Sequence, residues 1–167
     1  VDMLEETYLK IISAKTASLF AAATKVGSII ANKENKIKDA LEFYGKNLGL
    51  TFQIADDTLD YNSELKLFGK DIGNDFYEGK ITLPIILLYQ KSKNDEKKKL
   101  KELFKKKERS EEEFKIVLTM IKKYSIIFEC HKKAEHFINL ASNSLSVFKL
   151  TKEKEILQSL TSFSLER

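Results

Sequence analysis

Ile37, Leu41, Tyr44, Leu48, Phe52, Ala55 and Leu59 recur at steps of four and three. At about 100° per residue that spacing places all seven on one face of a helix, a stripe long enough to require several packed neighbours. The segment from Met3 to Ala31 repeats the pattern through Leu4, Tyr8, Ile11, Ile12, Leu19, Phe20, Val26, Ile29 and Ile30, and Asn32 to Lys36 supplies the turn between the two. A glycine-rich stretch from Gly69 to Gly79 interrupts the helical pattern, after which Thr82 and Pro84 open another helix with Ile85, Ile86, Leu87 and Leu88. Further helices are predicted over Glu111–Lys123, Ile126–Phe148 and Lys152 to Phe163. No alternating apolar run appears, and one proline, six glycines and no tryptophan argue against a turn-rich sandwich or barrel. The chain is expected to be all-α, and its 167 residues suffice for a single domain.

Hydrophobic residues make up 43% of the sequence and charged residues 32%, a balance that excludes disorder throughout and a membrane-embedded protein. No segment approaches the ~18 uninterrupted apolar residues of a transmembrane helix. A lone cysteine, Cys130, cannot form an internal disulfide and fits a reducing, cytoplasmic compartment. The net charge of +4 is local: Lys91 to Arg109 carries 10 basic against 4 acidic residues, with Phe104 its sole aromatic. A nucleic-acid groove wants stacking rings and arginine forks, and all but two of the basic residues are lysines, so this segment reads as a solvated face and no nucleic-acid partner is expected.

The chemistry concentrates in Gly49-Leu-Thr-Phe-Gln-Ile-Ala-Asp-Asp-Thr-Leu-Asp-Tyr61. Asp56 and Asp60 lie one helical turn apart with Asp57 beside them, so three acids are expected to converge, and like charges at that spacing call for something positive against them. Gln53, Gly49 and Gly45 continue the face backwards, which reads as the wall of a cavity with carboxylates at its mouth. An all-oxygen cluster selects a hard cation, Mg²⁺ above all where phosphate oxygens complete the octahedron. Zinc is disfavoured, because His131 and His136 are five residues apart and share no helix face. Lys15 sits among small apolar residues, an expensive place for a cation without an anion, and Lys70 and Lys80 follow glycines just beyond the acidic helix. All three are point charges suited to diphosphate.

Four segments in order carry a resemblance: Lys15-Thr-Ala-Ser-Leu-Phe, Tyr44-Gly-Lys-Asn-Leu-Gly through Gln53 to Asp56-Asp-Thr-Leu-Asp-Tyr61, Leu67-Phe-Gly-Lys-Asp-Ile-Gly-Asn-Asp75, and Glu78-Gly-Lys-Ile-Thr-Leu-Pro84. Together they resemble the trans-isoprenyl diphosphate synthases, in wording nearest the long-chain, octaprenyl-type members. The resemblance implies a helical bundle of the isoprenoid synthase type, of which residues 1–167 would be the C-terminal part of a single domain, since nothing here resembles the family's first aspartate-rich motif or its isopentenyl diphosphate site. It implies Mg²⁺ at Asp56, Asp57 and Asp60, with Asp56 foremost, and an allylic diphosphate held by Lys15, Lys70 and Lys80. Thr16, Gln53 and the Lys15 carbonyl would face the developing allylic cation. The implied activity is condensation of isopentenyl diphosphate with that allylic diphosphate by a homodimer, the fragment alone being inactive. Alternatives are a non-catalytic partner subunit of a heteromeric synthase, and a helical scaffold with an incidental acidic face.

Overall fold

The computed structural model describes residues 4–62 and 72–166. Helices follow one another throughout: α1 (Glu5–Ile12), a π-helical turn (Ser13–Ala17), α2 (Ser18–Ile30), α3 (Asn35–Leu59), α4 (Asn74–Glu78), α5 (Leu83–Lys91), α6 (Asn94–Lys105), α7 (Glu111–Lys123), α8 (Ile126–Ser144), a 3-10 turn (Leu145–Val147) and α9 (Lys152–Glu166). No strand occurs among the described residues, and the all-α expectation holds.

The chain divides into two compact units. One combines the N-terminal residues up to Tyr8 with Asp56–Cys130; the other combines Leu9–Ala55 with His131 onward. In the first, α5 is buried on every side from Leu83 to Leu88, the continuous apolar run that its sequence dictates. Thr82, extended at φ −99°, precedes it, and Pro84 sits in its first turn, where a missing N–H costs nothing. It contacts α6 and α7, where Leu100, Phe114, Val117 and Ile121 are buried, with Phe76 packed 5.3 Å from the Phe114 ring and 5.7 Å from that of Phe104. Ser110 starts α7 with a reciprocal cap: its hydroxyl accepts from Glu113 N–H, and the Glu113 carboxylate accepts from Ser110 N–H at 2.9 Å.

The second unit packs Tyr44 and Leu48 of α3 against Ala141 and Leu145, with Phe20, Leu41, Phe148 and Leu157 around them. Tyr44 donates its buried hydroxyl to the Leu157 carbonyl at 2.7 Å, tying α9 to α3. Burial raises the Tyr44 phenol to about 12, so it remains a donor.

Gly45 and Gly49 serve this packing. A Cβ on Gly49 would lie 2.7 Å from the Ala17 Cα, and one on Gly45 would run into the Thr24 hydroxyl and the Phe20 carbonyl. The expected cavity wall is therefore corrected: the space these glycines leave is filled by Ala17, Phe20 and Thr24, because only a glycine lets α3 approach the π turn and α2 so closely. Thr24 uses that approach to donate to the Leu41 carbonyl at 2.6 Å. No helix among the described residues is long and apolar enough to cross a membrane.

Candidate active site

Lys15, Thr16 and Gln53 belong to the second unit, and Asp56, Asp57, Asp60 and Lys80 to the first. Lys70 lies outside the described residues.

The helix bearing Lys15 and Thr16 does not run straight. Ser13–Ala17 forms a π turn, with Ser18 N–H reaching back five residues to the Ser13 carbonyl. One residue is thereby inserted into the helical register, a rare distortion that is frequent at functional sites. Ser18 ties the turn from its side chain, donating to the Ala14 carbonyl at 2.8 Å. On the opposite side Thr16 donates its hydroxyl to Gln53 Oε1 at 2.8 Å. The donated proton fixes the Thr16 oxygen with its lone pairs away from Gln53, a fixed dipole in a half-buried position. Sequence periodicity gave no sign of the π turn, since an inserted residue leaves the apolar steps on either side intact.

Lys15 is exposed. The expectation that it occupies an apolar environment is corrected: Ala14 and Leu19, its small and apolar neighbours, are themselves exposed, so its ammonium is not desolvated.

The acids sort by environment. Asp56 is exposed, Asp57 is buried and Asp60 is half-buried. Asp57 accepts the Tyr8 hydroxyl on Oδ2 at 2.7 Å, a charge-assisted bond between buried groups. Burial first, and then the neighbouring Asp57 charge, push the Tyr8 phenol far above its ordinary range, so Tyr8 stays protonated and donates. Asp60 turns to the start of α4: Oδ1 accepts from Gly73 N–H at 3.0 Å and Asn74 N–H at 3.1 Å, and Oδ2 accepts from Asp75 N–H at 2.8 Å. Burial, the largest cause, leaves the Asp60 carboxyl raised; the Asp75, Asn74 and Gly73 amides oppose that rise in part, and the Asp75 charge adds to it.

Among the described residues no three His, Cys, Asp or Glu side chains are placed to hold a metal ion together. Asp56, Asp57 and Asp60 accordingly do not gather into one three-carboxylate cluster. Residues 56 and 57 point about 100° apart around α3, and among the donors that meet Asp57 and Asp60 are a phenol and three backbone amides of the chain itself. The donor set remains all oxygen and fits a hard divalent cation, with Asp56 the carboxylate presented to solvent.

Lys80 is exposed and bridges two carboxylates, Glu78 at 2.7 Å and Asp75 at 3.2 Å. Glu78 first, then Asp75, raise its ammonium, so it carries its full charge. Tyr8 and Arg109 were not singled out by sequence reasoning. Tyr8 read as one more member of an apolar stripe, although a phenol in a core position usually finds a partner for its hydroxyl.

Residues 1–121 match the family model described as polyprenyl synthetase. The chain is 32% identical, over its whole length, to the short chain isoprenyl diphosphate synthase of Methanothermobacter thermautotrophicus, of which it covers 51%. It is 44% identical over 85 residues to the octaprenyl diphosphate synthase of Escherichia coli, a match covering 51% of this chain and 26% of that one. The structure of a polyprenyl synthase from Caulobacter crescentus, solved with calcium and isoprenyl diphosphate, superposes on 99% of this chain with a TM-score of 0.92 at 35% identity, and 51% of that protein is covered. The chain thus spans about half the length of these full-length matches. A family match over most of the chain, joined to a shared fold at this level of identity, leaves one assignment: the chain belongs to the polyprenyl synthetase family.

Proposed function

We propose that this chain supplies the C-terminal half of a prenyltransferase that condenses isopentenyl diphosphate with an allylic diphosphate to form a polyprenyl diphosphate. The observation that carries the reading is the exposed Asp56 carboxylate at the end of α3 in a chain whose family match spans residues 1–121. Asp56 would be the principal ligand of a bound Mg²⁺ ion. Asp57 and Asp60 contribute charge from positions that their hydrogen bonds hold fixed.

When bound, Mg²⁺ lends the diphosphate the positive charge that makes it a leaving group. Lys15, Lys70 and Lys80 add ammonium charge to the same diphosphate, Lys80 exchanging its contacts with Glu78 and Asp75 for phosphate oxygens. The allylic carbon–oxygen bond breaks, and the oxygen dipoles of Thr16, Gln53 and the Lys15 carbonyl face the positive charge that develops on the allylic carbon. The double bond of isopentenyl diphosphate attacks that carbon, and the departed diphosphate takes the proton released as the new double bond forms. The contribution of this chain is electrostatic, applied to an ionisation.

The test is Asp56→Ala in the complete synthase. Turnover is expected to fall by at least about 10²-fold while circular dichroism shows unchanged helix content. Turnover within a few-fold of the parent at unchanged helix content would remove Asp56 from the metal site and with it the reading of this helix.

A further inference from the structure

Arg109 is the sole arginine among the described residues and ends the lysine-rich segment that the sequence presents as a solvated face. Its guanidinium is not solvated in that way. Nη1 donates to the Tyr77 carbonyl at 3.2 Å and Nη2 to the Phe104 carbonyl at 3.1 Å. The guanidinium carbon lies 5.2 Å from the Phe104 ring centroid and 5.9 Å from that of Phe76. Its third face meets the backbone of Gly79, where a Cβ would lie 2.6 Å from Nη2 and 2.9 Å from Nη1.

Gly79 stands at φ +74°, the left-handed residue that ends α4. Around it Gly79 N–H donates to the Phe76 carbonyl at 3.0 Å and Lys80 N–H donates to the Asp75 carbonyl at 2.8 Å, the paired bonds of a Schellman turn. Tyr77 offers the next carbonyl of the same helix end, and Arg109 takes it. A delocalised cation therefore lies against the C-terminus of α4 over Gly79, whose left-handed φ is what favours glycine at the turn, and the residue launched from that turn is Lys80.

We propose that Arg109 is a positioning residue for Lys80: by filling the space over Gly79 and holding the Tyr77 carbonyl, it fixes the direction in which Lys80 leaves α4 toward the diphosphate. This rests on the reading of Lys80 as a diphosphate contact. A lysine at 109 would keep the charge but could not span both carbonyls with a planar fork.

The experiment compares Arg109→Lys, Lys80→Ala and the double variant in the complete synthase, with Arg109→Met, which keeps the apolar stem over Phe104, as a second substitution should the lysine variant fail to fold. Amide hydrogen exchange at Gly79 and Lys80 is expected to speed up at least about tenfold in Arg109→Lys, with Val117 in the α7 core unchanged. The KM for the allylic diphosphate should rise by a similar factor in Arg109→Lys and in Lys80→Ala, and the double variant should be no worse than Lys80→Ala alone. Unchanged exchange at Lys80 in Arg109→Lys, or a further rise in KM when it is added to Lys80→Ala, overturns the inference. A Lys80→Ala variant with parental KM overturns instead the diphosphate role of Lys80, while the exchange measurement still decides whether Arg109 fixes the turn.

Discussion

At the scale of single residues, the decisive feature is how each charge or hydroxyl is answered. Tyr8 and Asp57 are both buried, and each answers the other at 2.7 Å. Tyr8→Phe removes a donor from a buried carboxylate and is expected to cost about 1.5–3 kcal/mol of unfolding free energy, read from urea denaturation; a cost under about 0.5 kcal/mol would show that Asp57 does not depend on it. Glu96 makes a second test, at the surface. Lys123 at 2.7 Å first, then Tyr124 and the Lys93 N–H, hold its carboxyl down at about 2, against an ordinary 4.5. A carboxyl lowered in the folded state binds fewer protons there than when unfolded, so stability rises with pH across that interval. The stability gap between parent and Glu96→Gln should therefore be constant above pH 4.5 and close as pH falls toward about 2. A gap independent of pH would contradict the assignment.

At the scale of elements, periodicity carried most of the fold, and it failed where register or length changed. α7 was legible to the residue, because Ser110 and Glu113 form a cap of side chains visible in sequence and Lys122–Lys123 mark its end. The π turn at Ser13–Ala17 was not, because one inserted residue leaves both flanking stripes in phase with themselves. α4 was missed for the opposite reason: five residues between Gly73 and Gly79 are too few to show a period, and the helix forms because Asp60, distant in sequence, caps it with both carboxylate oxygens. Gly45 and Gly49 were recognisable as special, but sequence cannot tell a gap left for a ligand from one filled by a neighbouring backbone. Two glycine substitutions separate these effects. Gly49→Ala should destabilise by about 1–3 kcal/mol, since the new methyl overlaps Ala17. Gly27→Ala in α2, where nothing lies within 4 Å of the added Cβ, should stabilise by about 0.5–1 kcal/mol through helix propensity alone. Thermal unfolding of the two variants gives both signs, and a stabilised Gly49→Ala would contradict the close approach.

At the scale of the whole molecule, the acidic motif, the Lys-Thr pair and the glutamine could each be singled out in the sequence, and their environments could not. Nothing in sequence distinguishes the exposed Asp56 from the buried Asp57 beside it, because that difference is made by α1 and Tyr8 from 49 residues away. The apolar face of α2 remains uncovered, with Leu19 73% and Ile30 79% exposed and Val26 and Ile29 half-exposed beside them. A face of that size on one helix favours association, so residues 1–167 alone should self-associate, and a monodisperse, cooperatively unfolding 19.2 kDa monomer in ultracentrifugation would contradict this. The central claim, that these residues are half of a prenyl-transfer site, predicts dependence on a complement: half of the substrate contacts and part of a metal sphere cannot make condensation effectively unimolecular. The direct measurement is transfer of radiolabelled isopentenyl diphosphate, with Mg²⁺ and an allylic diphosphate primer, into solvent-extractable product, by residues 1–167 alone and with the N-terminal half of the family fold supplied in cis. The account predicts no extractable label from the chain alone and label from the completed protein; extractable label from the chain alone, or none from the completed one, would contradict it.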